Sequence, residues 1–169
     1  MGSYIVTTDS GCDLPLSFCK SRDIIPIAMS YAIGDTEYTD TMDPADLKAF
    51  YDGMRAGDAP KTSQVTPYKF IEFWTPLLEK GLPIVHISLG SGISGTWANA
   101  VQAAKMVTQE HPDADIRVID STLASVGYGM LAILASDMRD CGSSADECQA
   151  LLEKVKGNIN TYYTTGDLT

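Results

Sequence analysis

The sequence has 169 residues, with 12 Lys plus Arg against 22 Asp plus Glu for a formal net charge of −10, and it carries 44% hydrophobic residues, 14 Gly and 8 Pro. That length and composition predict one globular domain burying roughly 68 to 70% of the surface its unfolded chain exposes, and exclude collagenous, disordered and disulfide-scaffold classes. The scattered basic residues exclude the positive footprint of a nucleic-acid binder and the polybasic patch of a membrane-surface protein.

Tyr4-Ile5-Val6-Thr7-Thr8 predicts a short strand, and Asp9-Ser10-Gly11-Cys12-Asp13-Leu14-Pro15 the turn after it. A short helix is expected over 15–22. Residues 24–33 are rich in β-branched and apolar side chains, and Gly34-Asp35 before Thr36-Glu37-Tyr38 predicts a hairpin with an antiparallel return strand. Asp43 as N-cap and Pro44 at the first helical position open a helix that sets Leu47, Phe50, Tyr51 and Met54 on one face and stops at Gly57. Residues 59–67 read as loop. Thr66 and Pro67 then open a helix whose apolar face is Phe70, Phe73, Trp74, Leu77 and Leu78, and which Pro76 would shorten or kink.

Residues 82–89 form a buried-strand run, followed by Gly90-Ser91-Gly92-Ile93-Ser94-Gly95-Thr96 and a helical pattern over 97–110. Ile116-Arg117-Val118-Ile119-Asp120 is another strand, a helix is expected over about 124–140, and Ser143 caps a last helix running to Lys156 before Gly157-Asn158. Residues 160–169 begin like a strand. This alternation predicts an α/β fold with a mostly parallel sheet and helices on both faces. Ligands of such sheets bind beyond the C-terminal strand ends, which gathers residues 9–13, 90–96 and 120–125 at one edge.

The 90–96 stretch is the most informative. Successive backbone N–H groups at a helix N-terminus attract anions, glycine lets a ligand approach the main chain, and Ser94 or Thr96 would cap the helix. A plain capped helix is the competing reading. No Walker lysine is present. The nominal GxGxxG is weak, because Asp115 begins the next strand while Asp120 stands at its end, where a ribose-binding acid belongs. Thr96 breaks GxSxG, His86 reads as a core histidine in mid-strand and His111-Pro112 as a helix end. Asp9, Asp13 and Asp120 suit turns and caps, or acid–base work. A phosphoryl-transfer or hydrolytic enzyme using the 90–96 anion loop is therefore one functional reading. A carboxylate-binding site is another: Thr62, Ser63, Ser94 and the Gly95 amide would supply donors if the 60s loop folds over the helix start. Cys12, Cys19, Cys141 and Cys148 contain no CxxC, so neither a zinc nor a thioredoxin-type site is expected. No apolar run reaches the roughly 18 residues of a membrane helix and no signal-peptide pattern stands at the N-terminus, so a cytoplasmic location is the expectation.

Thr8-Asp9-Ser10-Gly11-Cys12-Asp13-Leu14-Pro15, Lys61-Thr62-Ser63-Gln64-Val65-Thr66-Pro67, Ser88-Leu89-Gly90-Ser91-Gly92-Ile93-Ser94-Gly95-Thr96 and Val118-Ile119-Asp120-Ser121 with Ser125, Gly127 and Gly129 resemble, in order, the motifs of DegV-family fatty-acid-binding proteins. The resemblance spans essentially the whole chain. It implies two α/β domains holding a long-chain fatty acid between them, with residues 1–160 as the lipid-binding N-terminal domain and 161–169 as the start of a crossover to a second domain this sequence lacks. It implies a non-catalytic carrier of bacterial phospholipid metabolism that presents the fatty acid to a fatty acid kinase for acyl-phosphate formation. Cofactor, metal and nucleic acid are not expected, and membrane contact would be transient, with no stable anchor. Thr62 and Ser94 would then hydrogen-bond the carboxyl group, with Ser63, Gly95 and Ser10 at the same polar end. Gly90 stands where the family usually has Ser, which removes one hydroxyl from the loop.

Overall fold

The computed structural model describes residues 4–162 and 164. In chain order the elements are β1 (Ile5–Asp9), a 3₁₀ turn (Ser10–Cys12), α1 (Leu16–Ser21), β2 (Ile24–Ile27), β3 (Ser30–Ile33), β4 (Thr36–Thr39), α2 (Pro44–Ala56) and β5 (Lys61–Ser63). They continue as α3 (Pro67–Leu78), β6 (Ile84–Ser88), α4 (Thr96–Glu110), β7 (Ile116–Asp120), α5 (Val126–Asp140), α6 (Ala145–Val155) and a 3₁₀ turn (Lys156–Asn158).

Four strands form a parallel sheet in the order β2-β1-β6-β7, as the βαβ alternation requires. The central strands β1 and β6 are buried along their whole length, in keeping with the Ile and Val that open both and the absence of any alternating exposed position. Pro26 is accommodated because β2 is an edge strand and loses no ladder bond. Alternate side chains then feed two cores. Ile5, Ile84 and Ile27 pack with Phe70 and Trp74 of α3 and Ala100 and Ala103 of α4. Val6, Val85, Ile87 and Ile119 pack on the other face with Leu131 and Ala135 of α5 and Leu152 of α6. Helices thus cover both faces, and the sheet's C-terminal edge is left to the loops. Among the described residues no helix is long and apolar enough to cross a membrane.

The structure departs from the sequence reading at several points along the chain. Residues 24–33 divide between β2 and β3, which belong to different sheets. The 59–67 segment is not all loop: β5 pairs antiparallel with β3, opposite the predicted β3–β4 hairpin, giving a second, three-stranded sheet. The last helix is capped by Ser144, whose hydroxyl accepts from the Glu147 amide while the Glu147 carboxylate returns to the Ser144 amide. Helix α3 is not shortened at Pro76 but runs to Leu78, the proline costing it one i→i−4 bond with only two residues of helix beyond it. Of the crossover expected over 161–169, residues 163 and 165–169 lie outside the described residues.

Cys12, Cys19 and Cys148 are buried and Cys141 is exposed. Burial pushes the Cys12 thiol up to about 12, only partly opposed by the Leu14 amide, and it raises Cys19 and Cys148 as well. Since the thiolate is the reactive form, an aromatic disulfide reagent at about pH 8 is expected to titrate Cys141 alone in the folded protein and all four thiols after denaturation. Rapid native reaction of a second thiol would contradict this packing.

Candidate functional site

The C-terminal ends of β1, β6 and β7 meet at one edge, where Asp9 is the first organising residue. It closes β1, is fully buried, and uses both carboxylate oxygens. Oδ2 accepts from the Leu89 amide at 2.7 Å and the Ser88 hydroxyl at 3.2 Å, while Oδ1 lies 3.2 Å from His86 Nε2. The other His86 nitrogen meets the Thr7 hydroxyl at 3.0 Å, and its ring stands edge-on to Phe70 and Trp74. His86 is thus a satisfied core histidine, as the mid-strand position predicts. Asp9 is committed to internal partners and fixes the point at which β6 turns into the 90–96 loop.

Asp120 organises the same loop from β7. Its carboxylate accepts from the Ser91 amide at 3.0 Å, the Ser91 hydroxyl at 2.6 Å and the Thr122 amide at 3.0 Å. Burial raises its pKa, but these bonds and the Lys156 ammonium outweigh burial and hold it below the ordinary carboxylate value. A carboxylate inside the loop that occupies Ser91 opposes a bound phosphate. The N-cap of α4 is Gly95, not Ser94 or Thr96. The Ser94 hydroxyl instead accepts from the Thr96 amide at 3.2 Å and lies 2.9 Å from the Thr96 hydroxyl. Gly90 has no room for a side chain, since a Cβ there would fall 2.7 Å from backbone atoms of Thr122 and Leu123. Glycine at this position is therefore enforced by the neighbouring turn.

The 60s segment does fold over the start of α4. The Gln64 amide lies so close to Gly95 that a Cβ there would stand 2.4 Å from Gln64 Oε1. Asn99, one turn into α4, donates from Nδ2 to Gln64 Oε1 at 3.1 Å and to the Val65 carbonyl at 2.9 Å. Thr62 is exposed on β5 and Ser94 is half-buried. Ser63 donates to the Ser30 carbonyl at 3.3 Å, and the buried Ser10 hydroxyl accepts from the Met29 amide at 3.1 Å. Gln64 and Asn99 escaped the sequence reading as site residues, although Gln64 lay within a quoted motif and Asn99 stands one helical turn from Gly95.

A cavity of about 230 Å³ opens between the small sheet, α2 and the loop after β1, lined by Met29, Tyr31, Leu47, Phe50, Tyr51 and Thr62 among others. Of the five predicted site residues, Thr62 lines it and Ser10, Ser63, Ser94 and Gly95 do not. Helix α2 is well made: Asp43 Oδ1 accepts from the Ala45 amide at 2.7 Å and Pro44 opens the first turn. Yet it buries no residue completely, and Leu47, Phe50 and Tyr51 of its apolar stripe border this cavity instead of a core. Phe50 stands edge-on to Tyr31, which stacks on Tyr38. Asp13, Asp40 and Asp46 also line the cavity. Among the described residues no cluster of three or more His, Cys, Asp or Glu could hold a metal ion.

Residues 3–169 match the family model described as "Uncharacterised protein, DegV family". A DegV domain-containing protein of Clostridium perfringens is 35% identical over 170 residues, covering 99% of this chain and 58% of the relative. A Thermotoga maritima protein, whose structure is described as revealing fatty acid binding function, superposes with a TM-score of 0.83 at 28% identity, over 94% of this chain and 56% of that one. DegV of Bacillus subtilis, described as a fatty acid binding protein, gives 0.82 at 26% identity, over 93% and 55%. The chain thus spans little more than half the length of these proteins.

Proposed function

The chain belongs to the DegV family, and on that premise we propose that it binds one long-chain fatty acid, its carboxylate held by hydroxyl donors and its tail on the apolar wall beside α2. Residues 1–160 form the lipid-binding unit, residues 161–169 lead toward a second domain, and the protein works in the cytoplasm without a metal or cofactor, as a non-catalytic carrier that offers the carboxylate to a fatty acid kinase. The observation that carries this reading is the position of Thr62, whose strand is clasped against the α4 start bearing Ser94 while Thr62 itself borders an apolar cavity. Thr62 and Ser94 are the principal donors, with the Gly95 amide, Ser63 and Ser10 at the same end. Asp13, Asp40 and Asp46 on the cavity lining would repel a carboxylate, so the head faces the hydroxyls. The phosphoryl-transfer reading is weaker, because Asp120 and Asp9 are engaged internally and Asp120 occupies Ser91.

A tail of about 14 methylenes at ~0.8 kcal/mol each could gain roughly 11 kcal/mol if fully buried, against an association cost of about 4 to 15 kcal/mol. The 230 Å³ cavity falls below the roughly 300 to 1,000 Å³ of sites that enclose a drug-sized ligand, so it encloses only part of such a tail. This chain is therefore expected to bind palmitate with an affinity weaker than micromolar, and Thr62→Ala to weaken binding by roughly ten- to a hundredfold further, the worth of one hydrogen bond to a charged group. Native mass spectrometry of the purified protein, with extraction and identification of any lipid it carries, and palmitate titration of both forms, test this. A co-purifying nucleotide, or no difference between the two forms, would overturn the assignment; sub-micromolar binding would overturn the partial enclosure.

A further inference from the structure

We infer that Gln64 and Asn99 form a clasp whose task is to hold the Thr62 hydroxyl in register with Ser94, making both positioning residues of the carboxylate site; this rests on the fatty acid reading above. Thr62 and Ser94 belong to different sub-structures. Thr62 lies on β5, which pairs only with β3 in the small sheet, whereas Ser94 precedes α4, which packs on the large parallel sheet. Two hydroxyls must converge on one carboxylate within fractions of an ångström to act together. The backbone ladder of β5 sets Thr62 relative to β3, not relative to α4. A cross-link between the two sub-structures is therefore required close to both hydroxyls.

The Gln64–Asn99 pair supplies that cross-link two residues after Thr62 and at the first turn of α4. Asn99 directs its Nδ2 group to two acceptors on the 60s segment, one on the side chain of Gln64 at 3.1 Å and one on the main chain of Val65 at 2.9 Å. Val65 is buried in the core that α3 and α4 share, so the segment is anchored immediately beyond the clasp. The fit on the other side depends on Gly95. Its backbone conformation is one any residue adopts, so its glycine identity is explained by space: the Gln64 amide fills the position a Cβ would take. A methyl group there would push the far end of the Gln64 side chain away while leaving the Gly95 amide in place.

The test compares Gln64→Ala, Asn99→Ala and Gly95→Ala with the parent for palmitate affinity, thermal midpoint, and hydrogen exchange of the amides of residues 61–63. Each variant is expected to weaken palmitate binding by about three- to tenfold, in keeping with the loss of one neutral hydrogen bond, and to speed exchange in 61–63 while β1 and β6 stay protected. Combining Gln64→Ala with Thr62→Ala should weaken binding no further than Thr62→Ala alone, because a positioning residue has nothing left to position. A purely stabilising role would lower the midpoint and leave the two losses additive. Additive losses, or three variants that bind palmitate as the parent does, would overturn the inference. If the parent binds no palmitate, the fatty acid reading falls by itself and exchange decides the clasp: unchanged protection of 61–63 in Gln64→Ala and Asn99→Ala would then overturn it.

Discussion

Asp9→Ala is expected to destabilise the fold by about 3 to 5 kcal/mol, the range for removing one partner of a buried charged network, and to lower the thermal midpoint by roughly 6 to 20 °C at about 2 to 4 °C per kcal/mol for a chain of this size. The size follows from what the carboxylate leaves behind. The Leu89 amide, the Ser88 hydroxyl and His86 would all lose their acceptor, and Asp9, Ser88 and His86 are without solvent exposure. Ser88 and His86 have no exposed surface at which bulk water could replace it, so their desolvation cost is left uncompensated. Asp9→Asn separates the contributions. Its amide oxygen can take the place of Oδ2 and still accept from Leu89 and Ser88, while its NH₂ group replaces Oδ1 and faces His86, so an intermediate loss of about 1 to 3 kcal/mol is expected. Urea and thermal denaturation of the two variants check both values. A midpoint for Asp9→Ala within about 2 °C of the parent would show that the network is not coupled to folding.

The same network marks how far local sequence signals reach. Strand β7 is legible to the residue, because Ile116-Arg117-Val118-Ile119-Asp120 carries its own β-branched pattern and ends at a turn. Helix α2 is legible for the same kind of reason, with Asp43, Pro44 and Gly57 all acting on neighbours a few residues away. Strand β5 is not, because Lys61-Thr62-Ser63 is polar and exposed throughout and becomes a strand only by pairing with Tyr31 and its neighbours some 30 positions earlier. The division of 24–33 is hidden likewise: the break is held from outside, by Ser10 accepting from the Met29 amide. Ser144 differs, since its Ser-x-x-Glu capping signature is entirely local and singles it out over Ser143.

The site divides along the same line. That three loops share the sheet edge follows from topology alone, whereas Thr62 and Ser94 are proposed on the family resemblance. What each loop does there depends on partners far along the chain: Asp120 engages Ser91 and Asn99 engages Gln64, pairs that no spacing rule connects. The 90–96 stretch reads as an anion loop on its own residues. The arrival of a carboxylate from β7 changes that chemistry, and nothing within the loop announces it.

Gly90→Ser, which adds a hydroxymethyl group to the loop, is expected to cost about 1 to 3 kcal/mol as an overpacking substitution, lowering the midpoint by roughly 2 to 12 °C. The added Cβ would meet Leu123 N and the Thr122 carbonyl carbon at 2.7 Å and Leu123 O at 3.0 Å, all of them main-chain atoms that cannot rotate aside. Nor is the turn free to retreat as a body. The Gly90 amide donates to the Leu123 carbonyl at 2.8 Å, and Thr122 and Ser125 already sit at φ values of 58° and 55°, in the left-handed region that non-glycine residues disfavour. Moving the turn would also disturb Asp120, whose carboxylate holds Thr122 and Ser91 together. Gly92→Ala in the same loop is the matched control: nothing lies within 4 Å of its Cβ position and its φ is not in the left-handed region, so a change within about 0.5 kcal/mol is expected. Thermal denaturation of the pair separates close approach from loop flexibility. Equal midpoints for the two would mean that the 121–125 turn yields to a side chain at position 90.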